Sequence, residues 1–127
     1  GVGGYKVILM ASDHSNSLSI VDKKGKATDL RVRDGLNTAA NFRLGDKIEW
    51  RMDGTGKTAV PIALIFRALK SVDPVATDKV ESNMLVGKLS PAPCITDVVG
   101  PSVADQNTKA RELADTARDR PCVPKMR

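Results

Sequence analysis

The clearest alternation of apolar and polar positions in this sequence lies between Leu44 and Leu69. From residue 47 to residue 52, charged and apolar side chains alternate, which is the period of a strand with one buried and one solvated face. The Gly-rich segment 53–56 is typical of a tight turn. The run from Val60 to Leu69 is then apolar except for Arg67 and the flanking Pro61. We therefore predict a hairpin whose second strand lies in the middle of a sheet.

This hairpin supplies the predicted core. Ile48, Trp50 and Met52 are two residues apart and so share the inward face of the first strand. Trp50 is the single Trp of the chain and its largest apolar side chain, so we expect it to be largely buried. Phe66 is the aromatic residue of the second strand. The predicted structural core is therefore Ile48, Trp50 and Phe66.

Strand-like segments flank the hairpin on both sides. They cover residues 5–11, 18–21, 28–33, 84–89 and 94–99. In the segment 28–33 we expect the apolar side chains to point inward and the two arginines to point outward. The polar segment 71–82 contains the turn signal Asp73-Pro74, and we expect it to be the most mobile part of the chain.

A helix is predicted from Ser102 to Asp119. Ser102 can cap its first turn, with Asp105 three residues later in the manner of a capping box, and Pro121 ends it. Small apolar residues recur at helical spacing in a narrow stripe, which consists of Ala110, Leu113, Ala114 and Ala117.

Together these elements predict one α+β domain over residues 1–127, with strands at roughly 5–99 and a helix at roughly 102–119. The expected architecture is a mainly antiparallel, strongly curved sheet or partly open β-barrel. The single C-terminal helix is expected to pack on that sheet.

Composition restricts the function classes. The net charge is +5, but the basic residues are scattered along the chain, and aromatic residues make up only 3% of it. A nucleic-acid surface is expected to combine basic residues with regularly spaced aromatic side chains for stacking, and that spacing is missing here. No apolar run reaches the length of a membrane span. The first residue is Gly1 rather than Met, which fits a removed leader peptide and a recombinant product equally well.

Short motifs in the sequence do not assemble a catalytic site. Residues 54–58 (GTGKT) resemble the end of a phosphate-binding loop, but the upstream Gly of that motif is replaced by Arg51 and no helix is predicted after it. We therefore expect Lys57 to lie on a solvated hairpin tip. His14 is the single His and is expected in a loop. Asp46 and Glu49 are expected to be surface charges on opposite faces of one strand.

Metal and cofactor sites are not expected either. A zinc site would have to combine Cys94, Cys122 and His14 with a carboxylate, and the sequence has no ligand spacing that supports it. The sequence therefore predicts no catalytic, cofactor-binding or metal-binding residue.

The segment Leu44–Arg51 (LGDKIEWR) resembles a family of small uncharacterised exported proteins of alphaproteobacteria. The resemblance continues through residues 35–37, the strand over 61–67, Cys94, the helix residues 110–115 and Cys122. It implies a periplasmic or secreted location and this fold, without an assigned activity or cofactor.

The two cysteines are predicted to form a disulfide. Cys94 opens the last predicted strand, and Cys122 follows the helix. A helix that runs back antiparallel across the sheet returns its end close to the start of that strand. The alternative is two buried free thiols, as in a cytosolic protein.

The leading functional interpretation is a small periplasmic, non-catalytic binding or accessory domain of unknown ligand, whose partner is another envelope protein. The alternative is a cytosolic nucleic-acid-binding β-barrel that uses Lys24, Arg31 and Arg33. A hydrolytic enzyme is the third interpretation.

Overall fold

Two antiparallel sheets and one main helix make up the described part of the chain, which in this computed structural model is residues 2–11, 16–73, 75 and 79–125. The elements are β1 (Lys6–Ala11), β2 (Asn16–Val21), β3 (Ala27–Asp29), α1 (Val32–Leu36), β4 (Phe42–Asp53), β5 (Val60–Ser71), β6 (Val80–Lys88), β7 (Cys94–Val99) and α2 (Gln106–Asp115). The sheet orders are β1-β2-β3 and β4-β5-β6-β7. The α+β class is confirmed, and the two sheets are not closed into a barrel.

The predicted hairpin is the centre of the four-stranded sheet. β5 lies between β4 and β6, as its apolar sequence predicts, and Leu64 and Ala68 are completely inaccessible. At the tip, Gly54 has φ 89° and Gly56 has φ 58°, a conformation that glycine adopts without steric cost. A 3-10 turn at Gly56–Thr58 completes the connection.

The two faces of β5 belong to two different hydrophobic cores. One face, which includes Leu64 and Phe66, packs against β2 and α1. The other face, which includes Ala63 and Ile65, packs against Ala110 and Ala114 of α2 and Ala117 of the 3-10 turn after it, and all three alanines are fully buried. The main sheet is therefore covered on one side by the small sheet with α1 and on the other side by α2.

The predicted core residues differ in burial. Phe66 is 1% exposed, whereas Ile48 and Trp50 are only partly buried and pack against the edge of the first core. Met52 was predicted to point inward, and this is wrong, because it is 39% exposed. Met52 is one residue from the end of β4, at the hairpin tip, where its neighbours Asp53 and Val60 are exposed as well, so the inward face is not covered that far along the strand.

The helix is shorter than predicted at both ends. It was expected to continue to Asp119, but α2 ends at Asp115 and a 3-10 turn covers Ala117–Asp119 before Pro121. α2 starts at Gln106 rather than Ser102, and Asp105 adopts a left-handed conformation with φ 56° and makes no side-chain cap. The capping box is therefore wrong. The Gln106 amide instead donates to the carbonyl oxygens of Ser82, Val99 and Gly100 at 2.9, 3.1 and 2.9 Å, which anchors this end of the helix to the sheet.

The segment predicted as a strand over 28–33 is divided between two elements. β3 ends at Asp29, whose carboxylate accepts the backbone N–H of Arg31 at 2.8 Å. This local hydrogen bond competes with strand pairing, and Arg31 turns into the left-handed region with φ 59° before α1 begins. Leu30 and Val32 are nevertheless buried, as predicted.

Two other predictions fall partly or wholly outside the described residues. The polar segment predicted over 71–82 is strand at both ends, where Ser71 pairs with Val80. Its residues 74 and 76–78 lie outside the described part, as does the predicted loop over 12–15 that contains His14.

Candidate functional site

The predicted disulfide is present. Cys94 and Cys122 are bonded, with their Cα atoms 5.7 Å apart, and no free cysteine remains. The chain continues beside β7, since the N–H of Val123 donates to the carbonyl oxygen of Ile95 at 2.8 Å. The geometric argument from the sequence, that the end of the helix returns to the start of the last strand, is confirmed.

Residues 54–58, which resemble the end of a phosphate-binding loop, lie at the hairpin tip, as the sequence predicts. Lys57 is exposed in the 3-10 turn at the hairpin tip, and β5 rather than a helix follows it. No α-helix N-terminus therefore supplies N–H groups beside Lys57.

Arginine–carboxylate pairs join α2 and the residues after it to the main sheet. They are Arg51–Asp115, Arg111–Glu49, Arg118–Asp53 and Arg120–Asp97, and a pair within β4, Arg51–Glu49, links the first two. The hydrogen bond from Arg111 lowers the pKa of Glu49 below its ordinary value, against the opposing effect of partial burial. The hydrogen bond to Asp115 raises the pKa of Arg51. Glu49 is thus a partly exposed charge, as the sequence predicted, that is engaged by two arginines.

Two of the three basic residues named for nucleic-acid binding are engaged within the chain. Arg33 donates to the carbonyl oxygens of Thr38 and Ala40 at 3.1 and 3.0 Å and lies 5.2 Å from the ring centre of Phe42. Arg31 pairs with Asp34 at 2.6 Å. Lys24 is exposed in the β2–β3 turn.

A cleft of about 360 Å³ opens between the main sheet and the first turns of α2. Its charged lining residues are Arg67 of β5, Lys47 and Glu49 of β4 and Arg111 of α2, of which Glu49 and Arg111 pair with each other. Arg67 is partly buried and donates through Nη1 to the Ser82 hydroxyl and to Gln106 Oε1 at 3.1 Å, and through Nη2 to Asn107 Oδ1 at 3.4 Å. All three acceptors are neutral.

A bulge in β4 creates this cleft. Leu44 pairs with Ala68 and Ile48 pairs with Phe66, so residues 45–47 of β4 lie opposite the single residue Arg67. Bulges of this kind redirect side chains and are frequent beside functional sites. In the sequence, this site was marked by Arg67 itself, the one charge in a long apolar run. The bulge could not be predicted from the alternation of apolar and polar residues.

The outer strand of the small sheet is a second candidate surface. Among the described residues β1 pairs only with β2, which leaves its other edge open. Ile8, Leu9 and Met10 are 45%, 49% and 64% exposed. Because consecutive strand residues point to opposite faces, apolar groups are accessible on both faces of this edge strand.

The described residues contain neither a metal-binding group nor a membrane-spanning helix. They hold no group of three or more His, Cys, Asp or Glu side chains placed to bind a metal ion. Within the same residues, no helix is both long and apolar enough to cross a membrane. Comparisons with protein-family models, curated proteins and solved structures found no match to this chain.

Proposed function

We propose that this chain is a non-catalytic accessory domain of the bacterial envelope that binds a partner protein through β1. The observation that carries the proposal is an open edge strand on which three consecutive large apolar residues, Ile8, Leu9 and Met10, are about half exposed or more. An extended segment of a partner can add to such an edge by backbone hydrogen bonds, while its side chains contact the apolar residues.

The composition of β1 supports this role. Sheet edges of monomeric proteins are usually protected by charged residues, proline or a covering segment, since an open apolar edge promotes aggregation. β1 contains no proline, and its one charged residue is Lys6 at its beginning. Contiguous apolar surface of this kind is typical of interaction sites.

The disulfide supports the envelope location. Disulfides form and persist in oxidising compartments such as the bacterial periplasm and are rare in the cytosol. The Cys94–Cys122 bond therefore agrees with the location that the resemblance to exported alphaproteobacterial proteins implies.

Site-specific photo-crosslinking in the native host tests this function. A photoreactive phenylalanine analogue at position 9 is expected to give one discrete adduct with a second protein. The same analogue at Met52, an apolar residue of similar exposure on the main sheet, is the matched control and is expected to give none.

Two further results complete the test. Met10→Lys, which places a charge on the edge strand, is expected to remove the adduct while the disulfide and the melting temperature are retained. An adduct that contains two copies of this chain, an equal adduct from position 52, or no adduct at position 9 would each refute binding of a partner through β1.

The nucleic-acid alternative is checked separately. Because Arg31 and Arg33 are held by contacts within the chain, we expect no binding of single- or double-stranded oligonucleotides at low salt. Affinity that falls steeply with salt concentration would support that alternative instead.

A further inference from the structure

The charge on Arg67 has no anionic partner among the described residues. Its three hydrogen-bond acceptors are the hydroxyl of Ser82 and the amide oxygens of Gln106 and Asn107. A guanidinium carries five N–H donors, and these contacts use Nη1 and Nη2, so the Nε–H has no acceptor within the described chain. Partial burial of a charge is costly unless an opposite charge or further hydrogen bonds compensate it.

Three other arginines of this protein show which group binds at the Nε side of a guanidinium. Arg51, Arg111 and Arg120 each donate Nε–H and Nη2–H together to the two oxygens of one carboxylate, at 2.7 to 3.1 Å. Paired hydrogen bonds of this type are among the strongest that arginine makes, because the planar fork matches the spacing of carboxylate oxygens. Arg67 lies in the cleft, and its Nε–H has no acceptor among the described residues.

The geometry points to a binding site for the carboxylate group of a small organic acid in the cleft around Arg67. The side of Arg67 that carries Nε receives the carboxylate, and Lys47, which also lines the cleft, adds a second positive charge. The carboxylate of Glu49 lines the cleft too, but it is paired with Arg111. Ile65 and Met84 line the cleft with apolar atoms that suit a short aliphatic chain. The volume of about 360 Å³ is at the small end of the range for ligand sites.

Gly45 contributes to the opening beside Arg67. A Cβ atom built on Gly45 would lie 3.4 Å from the Cβ of Arg67 and 3.6 Å from its carbonyl oxygen. Because Gly45 has no side chain, only backbone atoms of the β4 bulge lie beside Arg67 at this point.

This site is separate from the strand-addition surface of the proposed function. Arg67 lies on the face of β5 that carries Ile65 and faces α2, whereas the small sheet packs on the face that carries Phe66. Failure of either proposal leaves the other unaffected.

Titration of the full, disulfide-bonded chain with defined probes tests the assignment. Succinate and butyrate are the carboxylate probes and inorganic phosphate is the comparison, with binding followed through the arginine Nε–H resonances in NMR spectra. We expect a carboxylate probe to shift the Arg67 resonance with a Kd of about 1 mM or lower.

The variants identify the site. Arg67→Lys keeps the charge but loses the planar fork, so we expect affinity to fall roughly tenfold. Arg43→Lys is the matched control, since Arg43 is an exposed arginine of the same β4–β5 pair, and it is expected to leave the Kd unchanged. Lys47→Glu changes an exposed residue and is expected to weaken binding by a comparable factor, which keeps the test decisive if Arg67→Lys does not fold.

Several outcomes would overturn the assignment. The first is that the Arg67 Nε–H resonance does not shift with either carboxylate at about 50 mM, which is far above the expected Kd. The second is that phosphate binds as tightly as the carboxylates or more tightly. The third is that Lys47→Glu leaves the carboxylate affinity unchanged. Affinity that a folded Arg67→Lys variant retains would also overturn it.

Discussion

Arg111 donates Nε–H and Nη2–H to the two carboxylate oxygens of Glu49 at 2.8 and 2.9 Å, although the residues are 62 positions apart. This contact joins the exposed side of α2 to β4. Arg51 extends it, because it donates both to Glu49 and to Asp115 of the same helix. The alanines under α2 bury small side chains, so these ion pairs contribute to fixing its position on the sheet even though each exposed pair stabilises by only about 0–1 kcal/mol.

The Glu49 contact predicts how stability depends on pH. Its pKa is lowered in the folded protein, chiefly by the hydrogen bond from Arg111, so the unfolded chain binds the proton first as the pH falls. The stabilisation is present above the ordinary Glu pKa of 4.5 and is lost as the pH falls through the lower folded value. Glu49→Gln is expected to reduce the free energy of unfolding at pH 7 and to flatten its decline below that ordinary pKa.

Urea unfolding at a series of pH values between neutral and strongly acidic measures this effect. The control is Glu112→Gln, at an exposed residue of α2 that lies outside the ion pairs. If both variants had the same pH dependence as the unsubstituted protein, Glu49 would not contribute to acid sensitivity.

Loss of the disulfide is expected to destabilise the fold. Cys94 and Cys122 are 28 residues apart, and opening a loop of that length costs about 3–4 kcal/mol on the chain-entropy model. The double variant Cys94→Ser/Cys122→Ser, unfolded in urea beside the oxidised protein, gives the difference. Mass spectrometry of the unreduced protein after denaturation and alkylation is expected to show no alkylated cysteine, and two alkylated cysteines would contradict the bond.

The two large aromatic residues of the hairpin are expected to differ in their contribution to stability. Phe66 is 1% exposed and surrounded by core, so Phe66→Ala is expected to cost about 3–5 kcal/mol. Trp50 is only partly buried at the edge of that core, so Trp50→Ala is expected to cost less. Denaturant unfolding of the two variants compares them, and a larger loss for Trp50→Ala would show that the edge is packed more tightly than its exposure indicates.

Close contact between α2 and the sheet predicts intolerance of larger side chains. Ala114 is completely buried against β5 and β6, so Ala114→Leu is expected to cost about 1–3 kcal/mol by overpacking. Thr108→Leu, at an exposed position on the same helix, is expected to change stability by less than about 0.5 kcal/mol. Thermal unfolding of both variants provides the measurement, and equal melting temperatures would contradict the close packing.

Nucleotides are expected not to bind at the hairpin tip. Lys57 is exposed in a three-residue 3-10 turn that leads into a strand, so no cradle of N–H groups surrounds a phosphate there. ATP and GTP at millimolar concentrations are expected to leave the melting temperature unchanged. A rise that Lys57→Ala abolishes would show that this loop does bind phosphate.

The sequence alone was sufficient for the features that depend on local periodicity and composition. The apolar run around Phe66 identified the central strand, because a strand covered on both faces needs apolar residues on both. The spacing of Ala110, Ala114 and Ala117 predicted one buried stripe, since three- and four-residue steps place side chains on one helical face. All three are buried, although Ala117 lies in the 3-10 turn after α2. The order of strand, helix and Pro121 also predicted the bond between Cys94 and Cys122, and the tertiary structure decided it against the alternative of two free thiols.

Tertiary structure decided the features that join residues far apart in the chain. The prediction for Met52 failed because alternation shows which residues share a face of a strand but not how far along the strand that face is covered, and β4 is exposed at the hairpin tip. The helix starts at Gln106, whose side chain finds carbonyl oxygens in β6, at the end of β7 and just after β7, and no local capping pattern contains these contacts. Likewise, Arg67 was visible as a lone charge in the sequence. Only the tertiary structure places the bulge opposite it, leaves its guanidinium without a carboxylate partner among the described residues, and pairs the neighbouring Glu49 with Arg111 instead.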